Sequence, residues 1–220
     1  VPLKIKFTTE ALKALPSAKI GIILATKIQN RIDDRTIPIL LNAEEVKIRG
    51  IGSTRHRRDG KELTEDTDLY LYKQFELILS GKDIQRFNPL RDLCSLTGLR
   101  FNQPVFAIAL EHGDPDITFE IAESKSPSSE NSQRHISELI CKNNDREIFN
   151  FIDGTPSDFA KVIPQTETAL IFLIASADNT ADEIQHSRQE IAGSIAKLLS
   201  GHCQTFEISP TQLEVELELQ

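Results

Sequence analysis

A chain of 220 residues with 39% hydrophobic and 26% charged residues has the composition of a folded globular protein rather than a disordered one, and it is long enough to bury a sizeable core. Lys and Arg total 25 against 33 Asp and Glu; the net charge of −8 argues against non-specific binding to a phosphate backbone, which needs clustered cations. No apolar run is long enough to span a bilayer, so no membrane association is expected. The N-terminus lacks a charged-then-apolar leader, and with no Met in the chain an initiator is expected to have been removed or to lie upstream of Val1. Cys94, Cys141 and Cys203 are odd in number and far apart, which fits reduced thiols in a cytoplasmic protein better than disulfides or a metal site.

In chain order, "LKIKFTT" alternates and reads as an edge strand leading into a short helix, "TEALKAL", capped by Thr8 or Thr9. "AKIGIILATKI" is a continuous β-branched apolar run, predicted to be a buried central strand. Some forty polar residues of helical tendency follow. They contain the dense cationic stretch "STRHRRDGK", read either as a solvated loop between helices or as a phosphate contact through Arg55, Arg57, Arg58 and Lys61.

"DTDLYLYKQFELILSG" predicts an amphipathic helix with Leu69, Tyr72, Phe75 and Leu79 on one face and Gly81 as its stop. "QPVFAIAL" and "DITFEIA" read as two strands joined by the turn "EHGDPD". The stretch "ESKSPSSENSQRH" is a loop by composition. Beyond it, "REIFNFID" and "TALIFLIASA" are strands, "DEIQHSRQEIAGSIAKLLSG" is a capped helix, and "CQTFEIS" and "LEVELEL" alternate as strands. The irregular order predicts one α+β domain over 1–220, built of two β-rich halves covered by helices.

No motif announces an active site. There is no Gly-rich phosphate loop, no Cys/His spacing for zinc and no nucleophile elbow, so no metal or cofactor is expected. The five His residues are isolated from one another along the chain, with His112 in a turn and His186 on a surface helix. Cys94 lies on the apolar side of a short helix, where a free thiol behaves as a small hydrophobe.

The stretch "FNPLRDLCSLTGLRFNQPVFAIAL" carries more. Asn88 is placed to cap a helix with Pro89 at its first position, Asp92 sits where its charge suits the helix dipole, and Gln103-Pro104 turns the chain into a strand. Asn88, Pro89, Asp92, Gln103, Pro104 and Ala107 fall without a gap on a pattern of the B3/4 domain of the phenylalanyl-tRNA synthetase β subunit, N-P-x-x-D-x-T-N-Y-x-x-x-x-x-G-Q-P-x-H-A-F-D, which this segment resembles. "PSDFAKVIPQTETALIFLI" is similar to a later motif of free-standing B3/4 proteins, S-D-x-x-K-I-T-x-x-T before a buried strand, with Asp158, Lys161 and Thr166 on it. The resemblance is clearest over residues 69–217, with 1–68 as the N-terminal part of the same domain.

The resemblance implies a three-layer α+β arrangement with a β-sandwich of unusual topology. It also implies hydrolytic editing of misacylated tRNA, in which the ester of a wrongly attached tyrosine on the tRNA for phenylalanine is cleaved. The departures bear on that chemistry. The family's Thr-Asn pair is Cys94-Ser95 here, its His is Phe106 and its Asp is Ala109, while the carboxylate of its Gly-Gly-Glu segment falls near Asp158. A Phe neither donates, accepts nor transfers a proton.

One expectation is therefore a deacylase with a degenerate pocket, Asp158 orienting water and Cys94, Ser95, Phe106 and Thr166 lining the site. The alternative is a non-catalytic module that binds tRNA or aminoacyl-tRNA, a free amino acid or a protein on the same scaffold. Each residue also has a structural reading: Asp158 as a cap, Thr166 as a partner of backbone groups before the strand, Ser95 as a hydroxyl bonded to its own helix, Asp92 as a structural acid.

Overall fold

The computed structural model describes residues 2–14, 19–30, 35–51, 57–58, 61–62, 69–110, 116–121, 139–144, 146–151, 154–175, 180–209 and 212–218. The elements are β1 (Leu3–Phe7), α1 (Thr9–Ala14), β2 (Lys19–Thr26), α2 (Thr36–Ile51), β3 (Arg57–Arg58), β4 (Lys61–Glu62), α3 (Leu69–Leu79), α4 (Pro89–Phe101) and β5 (Val105–Ala109). They continue with β6 (Asp116–Ile121), β7 (Leu139–Asn143), β8 (Arg146–Asn150), β9 (Thr155–Pro156), a 3-10 turn (Asp158–Ala160), β10 (Ala169–Ala175), α5 (Ala181–Leu199), β11 (His202–Ile208) and β12 (Glu214–Leu217).

Two sheets organise the chain, one of six strands in the order β12-β1-β6-β7-β8-β9 and one of four in the order β11-β2-β10-β5. All neighbours pair antiparallel except β1 and β6. The alternation of β1 and β12 turns Leu3, Ile5, Val215 and Leu217 inward and leaves Lys4, Glu214 and Glu216 outside, where Lys4 pairs with both acids. β2 and β10 are apolar on both faces because both are covered. One face, with Ile20, Ile22, Leu170 and Phe172, meets the six-stranded sheet around Phe119, Phe149 and Phe151. The other, with Ile23, Ile171 and Leu173, packs under α2, α3, α4 and α5. The protein is thus α+β in three layers: sheet, sheet, helices.

Helix α5 is fixed at its start by a capping box, in which Thr180 Oγ1 accepts the Glu183 N–H and Glu183 Oε2 accepts the Thr180 N–H. The Arg188 stem lies against Gly21, where a Cβ would stand 2.8 Å from Arg188 Cδ, so the absent side chain lets the helix approach β2. Arg188 then donates to the Phe206 carbonyl at 2.6 Å and ties α5 to β11.

Several sequence expectations need correction. β1 is not an edge strand: β12 and β6 flank it, and its alternation reports a solvated face rather than a free edge. β5 and β6 are both strands as read, but they lie in different sheets, and the turn read between them falls at 111–115, outside the described residues. The buried face of α3 runs through Leu71, Gln74 and Ile78, one position away from the expected stripe. Gly81, at φ +85°, does stop that helix.

Helices α2–α5 cover the four-stranded sheet, while α1 packs on the six-stranded one through Ala11, so both β-rich halves meet helices as expected. Within the cationic stretch, Arg57–Arg58 pairs in backbone register with Lys61–Glu62, a short hairpin rather than a plain loop. β7 was not read from the sequence, and the Ser-rich loop lies within 122–138, outside the described residues.

Phe172 is fully buried, in ring contact with Phe119 at 5.2 Å and Phe151 at 6.2 Å. Phe172→Ala removes the ring that joins the two sheets and is expected to cost about 3–5 kcal/mol, read from urea unfolding. A loss below about 1 kcal/mol, the range of surface changes, would contradict this inter-sheet core.

Candidate functional site

A buried polar cluster begins at the start of α4. Asn88 is extended (φ −159°, ψ 163°) and Pro89 follows at the first helical position, where its missing N–H costs nothing. Asn88 Oδ1 accepts the Arg91 N–H at 3.2 Å and an Asn30 Nδ2 proton at 3.1 Å. Asn88 Nδ2 donates to the Val162 carbonyl at 2.9 Å. Asn30, at the end of the segment after β2, donates to the Ile163 carbonyl at 2.7 Å and accepts the Leu90 N–H at 2.9 Å. Both asparagines are buried, so these bonds join three segments away from water.

Asp92 is buried as well; its carboxylate accepts the Phe87 N–H at 2.9 Å, which is the structural role expected of it. Burial pushes its carboxyl up, against the Phe87 N–H and the nearby Arg86 and Arg91. At the far end of α4, Asn102 takes the left-handed conformation (φ 52°) that asparagine tolerates, and Gln103-Pro104 leads directly into β5.

The asparagine bonds fix the carbonyls of Val162 and Ile163 in the 161–168 segment. Beyond them Thr166 Oγ1 accepts the Ile163 N–H at 2.9 Å, and the Thr166 N–H donates to the Ile163 carbonyl at 3.0 Å. The Glu167 carbonyl accepts the Ile28 N–H, and the Thr168 carbonyl accepts the Leu110 N–H, both at 3.0 Å. This segment and the end of β5 enclose an open groove of about 380 Å³. Ala109, Leu110, Phe159 and Ile163 supply its apolar wall, and Asp158, Lys161, Gln165 and Glu167 its polar rim. Arg146 stacks its guanidinium 3.8 Å over the Phe159 ring.

The five residues expected to line a pocket divide between two places. Asp158 and Thr166 line the groove. Cys94, Ser95 and Phe106 line a second cavity between α4 and β5, of about 20 Å³, room for about one water. It is small because Phe106 and Tyr70 fill the space, their ring centroids 5.1 Å apart, and Phe106 continues into Phe149 at 4.9 Å. Gly154, at φ +67°, lies flush on the Tyr70 ring; a Cβ there would stand 2.5 Å from it. Burial pushes the Tyr70 hydroxyl up, and Ser95 faces it across this cavity from α4. Burial pushes the Cys94 thiol up to about 12, which leaves no thiolate for nucleophilic chemistry.

Asp158 is not a helix cap, because Ser157 occupies that position. Its side chain is 94% exposed and ion-paired with Lys161, whose hydrogen bond and charge hold the carboxyl below its usual range. Thr166, by contrast, serves backbone groups as the structural reading expected. Arg55 and the side chains of Arg57, Arg58 and Lys61 lie outside the described residues. Among the described residues there is no group of three or more His, Cys, Asp or Glu placed to hold a metal, and no helix is long and apolar enough to cross a membrane.

Asn30 was missed by sequence reasoning; its only signal was a polar residue soon after a buried strand. Lys161 was seen only as part of a motif, without the ion pair it makes. No protein-family model matches the chain, and no curated protein matches it either.

A depressed carboxyl means that the Asp158–Lys161 pair is intact at neutral pH and is lost as the pH falls through the lowered value. At this exposure its contribution to stability is small. Following the Asp158 carboxyl by NMR should therefore show a midpoint that rises in Lys161→Ala. An unchanged midpoint would mean that the pair does not form in solution.

Proposed function

We propose that this protein is a non-catalytic binding module on a B3/4-like scaffold, taking an amino acid, free or esterified to tRNA, in the groove between the end of β5 and the 161–168 segment. The observation that carries the reading is the pairing of Asp158 and Lys161 on the rim of an apolar-walled groove of about 380 Å³. One carboxylate and one ammonium side by side complement the ammonium and carboxylate of an α-amino acid. Leu110, Phe159 and Ile163 then offer apolar surface to its side chain.

Hydrolysis is the weaker reading for two reasons. A general base works best with a pKa near the operating pH, whereas Asp158 is held low and stands in open solvent. The position of the family's histidine is Phe106, packed into the aromatic core and 5% exposed, with no proton to move. A tRNA partner rests on the aminoacyl end entering the groove and on the cationic stretch from Arg55 to Lys61.

Titration with phenylalanine, tyrosine and their methyl esters, followed by NMR shifts of Leu110, Ile163 and Thr168, tests this. Lys161→Ala should weaken the free amino acids by about tenfold, as expected for losing one charge-assisted bond, and leave the esters nearly unchanged. Asp158→Asn should weaken both. Tyrosyl-tRNA specific for phenylalanine should hydrolyse no faster than background. Deacylation that depends on Asp158 would instead establish an enzyme.

A further inference from the structure

Strand β5 stands at the edge of the four-stranded sheet and pairs only with β10. The Leu110 N–H donates to the Thr168 carbonyl and the Ile174 N–H to the Pro104 carbonyl, both at 3.0 Å and both in line with the β5–β10 register. In an antiparallel pair, residues that bond the neighbour alternate with residues that do not. Positions 104, 106, 108 and 110 therefore bond β10, and Val105, Ala107 and Ala109 turn their backbone N–H and C=O toward the free edge. Among the described residues neither of these groups of Ala109 has a hydrogen-bond partner.

An open edge is a template for one more strand, and charged side chains ordinarily guard it. β12, at the edge of the other sheet, carries Glu214 and Glu216, whereas β5 reads VFAIA and carries no charge. Ala109 also lines the groove, so its unpaired backbone groups open where the amino acid would lie. The lining holds one carboxylate more than it has cations. Lys161 is paired with Asp158, while Glu167 has no ion pair among the described residues. Glu167 precedes Thr168, the residue bonded to Leu110, and so stands at the same end of the groove as Ala109.

We propose that the groove takes the amino-terminal end of an extended peptide rather than a lone amino acid or its ester. The inference rests on the amino-acid reading of the groove and narrows its ligand. The terminal ammonium meets Glu167 beside the Asp158–Lys161 pair, and the first side chain lies on Leu110, Phe159 and Ile163. The second residue pairs with Ala109 through its own N–H and C=O, as a strand added to a free edge does. An ester oxygen has no proton to give the Ala109 carbonyl, so one hydrogen-bond donor separates a peptide from an aminoacyl ester.

Three probes share the ammonium and the phenyl side chain: phenylalanine methyl ester, phenylalanyl-alanine amide, and the same peptide N-methylated at its peptide bond. In NMR titrations of the full chain, the peptide should bind at least about tenfold tighter than the ester, and N-methylation should return it to the ester's affinity. Exchange of the Ala109 amide proton should slow when the peptide is bound. Ala109→Pro removes the outward N–H without breaking a bond to β10, a placement an edge strand tolerates, and should reduce the peptide's advantage over the ester. If that variant fails to fold, the N-methylated peptide decides on the unaltered protein. Glu167→Gln should weaken the peptide by about tenfold, as expected for losing one charge-assisted bond. A peptide that binds no tighter than the ester, or equally well when N-methylated, would overturn the inference and leave the amino-acid reading in place. Binding by none of the three would overturn both.

Discussion

Asn30 and Asn88 face one another inside the protein, and between them they hold the start of α4, the end of the β2 connection and the carbonyls of Val162 and Ile163. A side-chain amide has two donors and an acceptor that can serve two bonds, which suits it to join backbone segments that have no ladder of their own. The 161–168 segment is one of these: it lies between the 3-10 turn and β10 and belongs to no sheet. Removing either asparagine leaves buried backbone groups unpaired at about 1–3 kcal/mol each, so the network is costly to break and specific in geometry. The groove exists because this segment is held away from β5 on one side and fastened at Thr168 to Leu110 on the other.

The layered core sets the direction in which that groove can face. β10 lies between β2 and β5, with both of its faces buried, so only its ends meet solvent-accessible chain. The six-stranded sheet covers one face through a run of phenylalanines, and the helices cover the other. Phe106 belongs to the first of these contacts. Its ring packs with Phe149 and Phe151, so Phe106 acts as core. The groove opens at the end of β5 and the loop that faces it.

Periodicity made the strongly patterned elements legible. The continuous apolar runs gave β2 and β10 because a strand covered on both faces has no polar alternation, and Asn88-Pro89 with Asn102-Gln103-Pro104 marked both ends of α4 through local capping chemistry. Sheet membership was not legible in the same way. Whether β5 pairs with β6 is decided by which sheet buries each strand, and that is a long-range matter. β1 was misjudged for the same reason, since alternation reports exposure of a face and is silent about neighbours along the ladder. In the site, Asp158 and Thr166 were visible as residue types, but the Lys161 pair and the Asn30 network arise from contacts distant in sequence or from loop geometry.

The claim that the asparagine pair holds the groove segment to α4 is tested most directly by a double-mutant cycle on Asn30→Ala and Asn88→Ala, read by urea unfolding. Each single change removes one member of a shared network, so the account expects the double variant to lose less than the sum of the two, with a coupling energy of about 1 kcal/mol or more. Losses that add within about 0.3–0.5 kcal/mol, the range for independent sites, would contradict it.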